Sequence, residues 1–113
     1  MEFQQISLAI VPERGEKSAM SFNGRPLGRS VDESGDSGSF KTIVEIYQTR
    51  EKTFLIYVTN RDQSGEINLA NFAETDTLDP GRVRSALKNE GIYPGPMYSE
   101  AVYHSLDTLE LLK

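Results

Sequence analysis

Two β-rich runs, residues 40–48 and 53–60, flank the charged tripeptide Arg50-Glu51-Lys52. Alternating aromatic and β-branched residues on both sides of a short polar tip read as a β-hairpin. A three-residue loop sets Phe40, Val44 and Ile46 with Phe54, Ile56 and Val58 on one face. The opposite face then holds Ile43, Tyr47, Leu55 and Tyr57 beside Lys41 and Glu45. A loop one residue longer or shorter would exchange these partnerships, because side chains alternate with period two. Both faces carry apolar groups, so this hairpin is expected at the centre of a sheet covered on both sides. It carries no catalytic signature.

The flanking segments extend the sheet. Ile6, Leu8 and Ile10 alternate with Gln5, Ser7 and Ala9, a strand with one buried face that stops at Pro12. Residues 19–22 form a short strand candidate. Asn23-Gly24 follows, a dipeptide suited to a type I′ turn, with residues 25–31 as the return strand. Pro26 lacks a backbone donor and places that strand at an edge. Residues 32–39, DESGDSGS, contain no apolar side chain and are expected to form a mobile loop. A turn is expected at Gln63-Ser64-Gly65, with an element of unassigned type over residues 67–73.

Two helices are expected after the strands. Asp79 suits an N-cap, Pro80 the first turn and Gly91 the stop, giving a helix over about residues 80–90. The segment Tyr93-Pro94-Gly95-Pro96 breaks the chain. A last helix over about 99–112 presents Val102, Leu106, Leu109 and Leu112 as an apolar stripe. The expected fold is one α+β domain spanning residues 1–113. It has an antiparallel, hairpin-rich sheet of four to five strands, then two C-terminal helices packed on one face.

Composition narrows the classes of function. With 113 residues the chain can bury one core. It has no cysteine, which excludes disulfides, thiol nucleophiles and thiolate metal sites and fits the cytoplasm. No apolar run approaches the ~20 residues of a membrane helix. The net charge is −5, and all of the excess lies in residues 62–79, which hold Asp62, Glu66, Glu74, Asp76 and Asp79 without a Lys or Arg. This acidic connection is read as a solvated loop or as a patch for a basic partner. No Lys/Arg cluster of the kind duplex DNA attracts is present.

Motifs for chemistry are sparse. Gly35-Asp36-Ser37-Gly38 matches the surroundings of a trypsin-like nucleophile, but His104 is the sole histidine and follows the serine. The chain is also about half the length that two β-barrels require, so the match is read as coincidence. His104 could serve as a general base; the plainer reading is a half-exposed helix histidine. Asp32, Glu33 and Asp36 could hold Ca²⁺ loosely, but Ile43 stands where an EF-hand needs its bidentate acid. No phosphate-cradling glycine motif follows a strand. No cofactor or metal is expected.

Phe22-Asn23-Gly24-Arg25-Pro26-Leu27-Gly28, then Glu45-Ile46-Tyr47-Gln48-Thr49 and residues 54–58, resembles a pattern in small bacterial proteins named for a C-terminal EXLDI motif. Near the C-terminus Leu106-Asp107 matches that motif, with His104 and Thr108 in place of its Glu and Ile. The resemblance covers about a third of the chain. It implies a sheet-first domain and no mechanism.

The functional expectation is a non-catalytic protein-binding module: an adaptor, inhibitor or assembly subunit, with phage or mobile-element inhibitors as a subset. The candidate partner-binding residues are Arg25 and Arg29 on the edge strand, Arg50 and Lys52 at the hairpin tip, and Asp62, Glu66, Glu74 and Asp76. One alternative is a single-stranded nucleic-acid binder using Tyr47, Tyr57, Lys41 and Arg50. Another is a small enzyme using His104. A homodimer through the edge strand or the last helix is a further expectation.

Overall fold

The computed structural model of the protein describes residues 2–34 and 40–113. In chain order it contains β1 (Gln4–Ile10), β2 (Ser18–Ser34), β3 (Phe40–Thr49), β4 (Phe54–Arg61), β5 (Ile67–Thr75), α1 (Pro80–Asn89) and α2 (Tyr98–Leu111). The strands pair antiparallel in the order β1-β2-β3-β4-β5, which is the expected α+β class.

The central hairpin takes the register of the three-residue loop. Gln48 faces Phe54, Ile46 faces Ile56 and Val44 faces Val58. The Thr49 amide donates to the Thr53 carbonyl at 2.9 Å, leaving residues 50–52 as the loop. Lys52 closes it at φ 69, the left-handed position of a three-residue hairpin loop. Val44, Ile46, Phe54, Ile56 and Val58 are buried against the helices. Phe40, expected with them, begins β3 outside that cover and is 55% exposed.

β2 departs from expectation. Asn23-Gly24 makes no turn: it lies inside one 17-residue strand. The first half of β2 pairs with β1 from Ser18 to Gly24, and the second half pairs with β3 from Gly24 to Ser34. Gly24 is needed for close approach. A Cβ there would lie 2.5 Å from Phe22 Cε2 and 2.9 Å from the Gln48 carbonyl oxygen. The register then shifts between Pro26 and Gly28, which turns Leu27 into the helix-side core. Asp32, Glu33 and Ser34, expected in a loop, continue β2 opposite Thr42, Lys41 and Phe40. The rest of that expected loop, residues 35–39, lies outside the described residues, as does the Gly35-Asp36-Ser37-Gly38 match.

The sheet curls until its ends meet. Val11, just after β1, exchanges two backbone hydrogen bonds of 2.9 Å with Ala70 of β5. The Tyr57 hydroxyl reaches the Ala9 carbonyl at 2.7 Å. Inside the curl Ile6, Leu8, Ile10, Met20 and Phe22 pack on Tyr47, Leu55, Tyr57, Ala70 and Phe72. The element of unassigned type is β5, so the acidic 62–79 segment is a turn, a strand and a cap rather than a connection alone.

The two helices cover the other face. Asp79 caps α1 by accepting from the Gly81 and Arg82 amides at 3.0 and 3.2 Å. The α1 end is a Schellman motif: Ile92 donates to the Leu87 carbonyl at 2.8 Å and Gly91, at φ +71, donates to that of Lys88 at 3.0 Å. On α2 the buried face is Ala101, Val102 and Ser105; Leu106, expected in the stripe, is 39% exposed. The reason is close packing on β2. A Cβ at Gly28 would lie 2.6 Å from the Ala101 carbonyl oxygen, so only small side chains fit between α2 and the strand. Leu109 and Leu112 pack partly buried against the core.

Candidate functional site

The eight residues expected to bind a partner do not converge. Arg50 and Lys52 are exposed at the β3–β4 tip. Glu74 lies at the same end of the sheet, accepting from Thr53 Oγ1 at 2.7 Å, and Asp76 follows β5 there. Asp62 and Glu66 occupy the opposite end, in the β4–β5 turn. Asp62 folds that turn around its own carboxylate, which accepts from the Ser64 hydroxyl and from the Ser64 and Glu66 amides. The Ser64 hydroxyl, ahead of the backbone donors, holds its pKa below the ordinary aspartate value.

The edge-strand arginines also separate. Arg25 donates to Gln48 Oε1 through Nε at 2.9 Å and Nη2 at 2.7 Å, and stacks 4.6 Å from the Phe3 ring centroid. It is therefore part of the structure around the β2 corner. Arg29 is exposed, opposite Glu45 in the β2–β3 register. Its carbonyl lies 3.2 Å from His104 Nδ1, and the Leu27 carbonyl accepts from Thr108 Oγ1 at 2.7 Å. No strand pairs with the outer side of β2 beyond Gly24 among the described residues, so α2 covers this edge. A carbonyl only accepts, so His104 bonds to it as the Nδ1–H form.

Tyr47 and Tyr57 are buried inside the curl. The Tyr47 hydroxyl donates to Glu45 at 2.9 Å, and Phe22 meets its ring edge-on with centroids 5.6 Å apart. Burial, then the Glu45 charge, pushes both phenols above the ordinary tyrosine pKa. Their rings are packed rather than offered for base stacking. Lys41 pairs with Glu33 at 3.5 Å.

The concave surface lies elsewhere, around the segment between the helices. A groove of about 770 Å³ is lined by Arg84 and Lys88 from α1 and by Tyr93, Pro94, Pro96 and Tyr98. A second, of about 360 Å³, lies between Pro12 and Glu13, the β4–β5 residues Asn60 and Asn71, and Glu90. Gly91, Ile92 and Tyr93 line both. The wall is fixed on either side of Tyr93. The Schellman turn seats Ile92 in the core, and Pro94 and Gly95 are buried. A Cβ at Gly95 would stand 3.1 Å from Asp32 Oδ2, so the backbone rests directly on the end of β2. Tyr93 projects from this braced segment at 76% exposure.

The sequence marks Tyr93-Pro94-Gly95-Pro96 only as a break. The available signal was a tyrosine embedded in Pro and Gly, where no helix or strand can bury it. Arg84, Lys88, Glu13 and Glu90 carry no such mark, since the fold alone assembles them. Among the described residues no group of three or more His, Asp or Glu side chains could hold a metal. No helix among them is long and apolar enough to cross a membrane.

Comparisons with protein-family models, with curated proteins and with solved structures find no match to this chain.

Proposed function

We propose that this chain is a non-catalytic protein-binding module, an adaptor, inhibitor or assembly subunit of the cytoplasm, and that the double groove at Tyr93 is its recognition surface. The observation that carries this reading is Tyr93 itself. A large aromatic side chain, 76% exposed on a segment braced by the core, is the kind of rigid anchor that interfaces use. It stands between two concavities rather than on a flat surface. The cysteine-free composition supports the cytoplasmic assignment. The resemblance to EXLDI-type proteins fits a small sheet-first domain and adds no activity.

The two alternatives draw less support. Single-stranded nucleic acid on the sheet face would need Tyr47 and Tyr57, which are only 7% and 4% exposed. An enzyme built on His104 would need an acid or nucleophile beside it, and the ring's hydrogen bond goes to a backbone carbonyl.

Affinity capture from a lysate of the source organism tests the reading. Wild-type protein is expected to retain a partner that Tyr93→Ala releases. Because Tyr93 is exposed, this substitution is expected to leave stability within about 0.5 kcal/mol of wild type. Equal capture by both proteins would move recognition away from the groove.

A further inference from the structure

The two halves of the groove have opposite charge. Among the described residues the larger half is lined by Arg84 and Lys88 and by no acid. These cations stand four residues apart on α1, the spacing that sets helix side chains side by side. The smaller half is lined, among the described residues, by Glu13 and Glu90 and by no base. Tyr93 is common to both. All four charged groups are exposed, so each is hydrated in the free protein and accessible to a ligand. The positive half is unusual within the chain, whose net charge is −5.

We infer that the groove takes an extended, charge-bipolar peptide segment of a partner protein, with carboxylates beside Arg84 and Lys88, an apolar residue against Tyr93, and basic residues beside Glu13 and Glu90. This rests on the protein-binding reading and adds the chemistry of the bound segment. Each half rewards one sign of charge and repels the other, so the pair of halves fixes the direction in which the segment lies. A uniform polyanion such as single-stranded nucleic acid would satisfy Arg84 and Lys88 but would be repelled at Glu13 and Glu90. A small anion would use the larger half alone. Only a ligand that changes sign along its length complements both halves. The floor suits such a segment: Ile92, Pro94 and Pro96 are apolar, while Asn60 and Asn71 carry amides. Their oxygens accept from Thr42 Oγ1 and the Phe72 amide, which leaves NH₂ groups as donors to a peptide backbone.

The test is selection from a display library of random linear peptides on the full chain, followed by polarisation titrations of the enriched sequences. Peptides with acids in one half, Lys or Arg in the other and an apolar residue between are expected, with binding lost in Tyr93→Ala. The double variant Arg84→Glu, Lys88→Glu is expected to weaken them by roughly tenfold or more. Reversing the charges of the acidic half of the peptide should restore binding to that variant. The converse holds for Glu13→Lys, Glu90→Lys and the basic half. All of these positions are exposed, and thermal melts matching wild type will show that the variants fold.

Tyr93-dependent peptides of a single charge sign would overturn the bipolar inference and leave the protein-binding reading standing. Enriched peptides indifferent to Tyr93→Ala would remove the groove reading as well. Binding of a labelled oligothymidylate that Arg84→Glu, Lys88→Glu abolishes would replace the peptide with nucleic acid. A dimer by light scattering that Tyr93→Ala dissociates would make the occupant a second copy of the chain. Either result overturns the inference.

Discussion

Tyr47 and Tyr57 show what a side chain gains from the curl of this sheet. Both phenols lie where ionisation is unfavourable, because burial and the Glu45 carboxylate oppose a second negative charge. In the unfolded chain a tyrosine ionises near pH ~10. The folded protein therefore holds these protons to higher pH than the unfolded one does. The resulting stability is complete below the unfolded pKa and is lost as pH rises through the folded pKa. Denaturant midpoints are expected to begin falling at about pH 10, where unfolded tyrosine ionises, and to go on falling toward the higher folded pKa. The fall should be shallower in Tyr47→Phe and in Tyr57→Phe, and ultraviolet titration of tyrosinate should show each substitution removing a late-ionising group. An equally steep fall in both variants would mean that these phenols ionise as readily in the fold as out of it. The sequence places the two tyrosines on one face of the hairpin. It does not show that Ala9 covers one and Phe22 the other, because those partners come from strands far away in the chain.

At the scale of elements, β2 is where local signals and the global fold disagree. Asn-Gly between two short apolar runs is a strong turn pattern, yet backbone pairing on both sides keeps β2 extended. The glycine serves a different need: β1 and β3 both reach β2 at Gly24, and the Phe22 ring and the Gln48 carbonyl leave no space for a methyl group. Gly24→Ala is therefore expected to destabilise by about 1–3 kcal/mol, the usual cost of overpacking. Combining it with Phe22→Leu should recover only part of the loss, since the Gln48 oxygen, 2.9 Å away, belongs to the backbone. Urea midpoints of the two variants will check this. A wild-type midpoint for Gly24→Ala would show that the corner can open at little cost. The elements that were legible were those fixed locally. The 40–60 hairpin announced its two strands by alternation, while its register waited on the loop length, and α1 announced its ends by Asp79 and Gly91. On α2 the Leu106 stripe misled because the close approach to Gly28 selected Ala101 and Ser105 instead of leucines.

For the whole molecule, the helical layer closes two exposures at once. α1 and α2 cover the apolar face made by Val44, Ile46, Ile56 and Val58, and α2 alone covers the outer edge of β2 through His104 and Thr108. An open apolar face beside an unpaired strand edge is a site for association between chains. Deleting residues 98–113 is accordingly expected to give protein that aggregates, read by sedimentation and by light scattering. That result alone would not say which exposure is responsible. The double substitution His104→Ala, Thr108→Val separates them: it strips the two edge caps but leaves Ala101, Val102 and Ser105 in the core. Losing a hydrogen bond of this kind costs about 1 kcal/mol, so this variant should remain folded with a lowered midpoint. If it stays monomeric, the uncovered apolar face drives aggregation of the truncated chain, and the caps only trim the edge. If it self-associates while still folded, the strand edge is sufficient, and the chief role of α2 is to keep β2 from pairing with a neighbour. A truncated chain that remained a soluble monomer would contradict both, and would mean that the curled sheet with α1 is stable by itself.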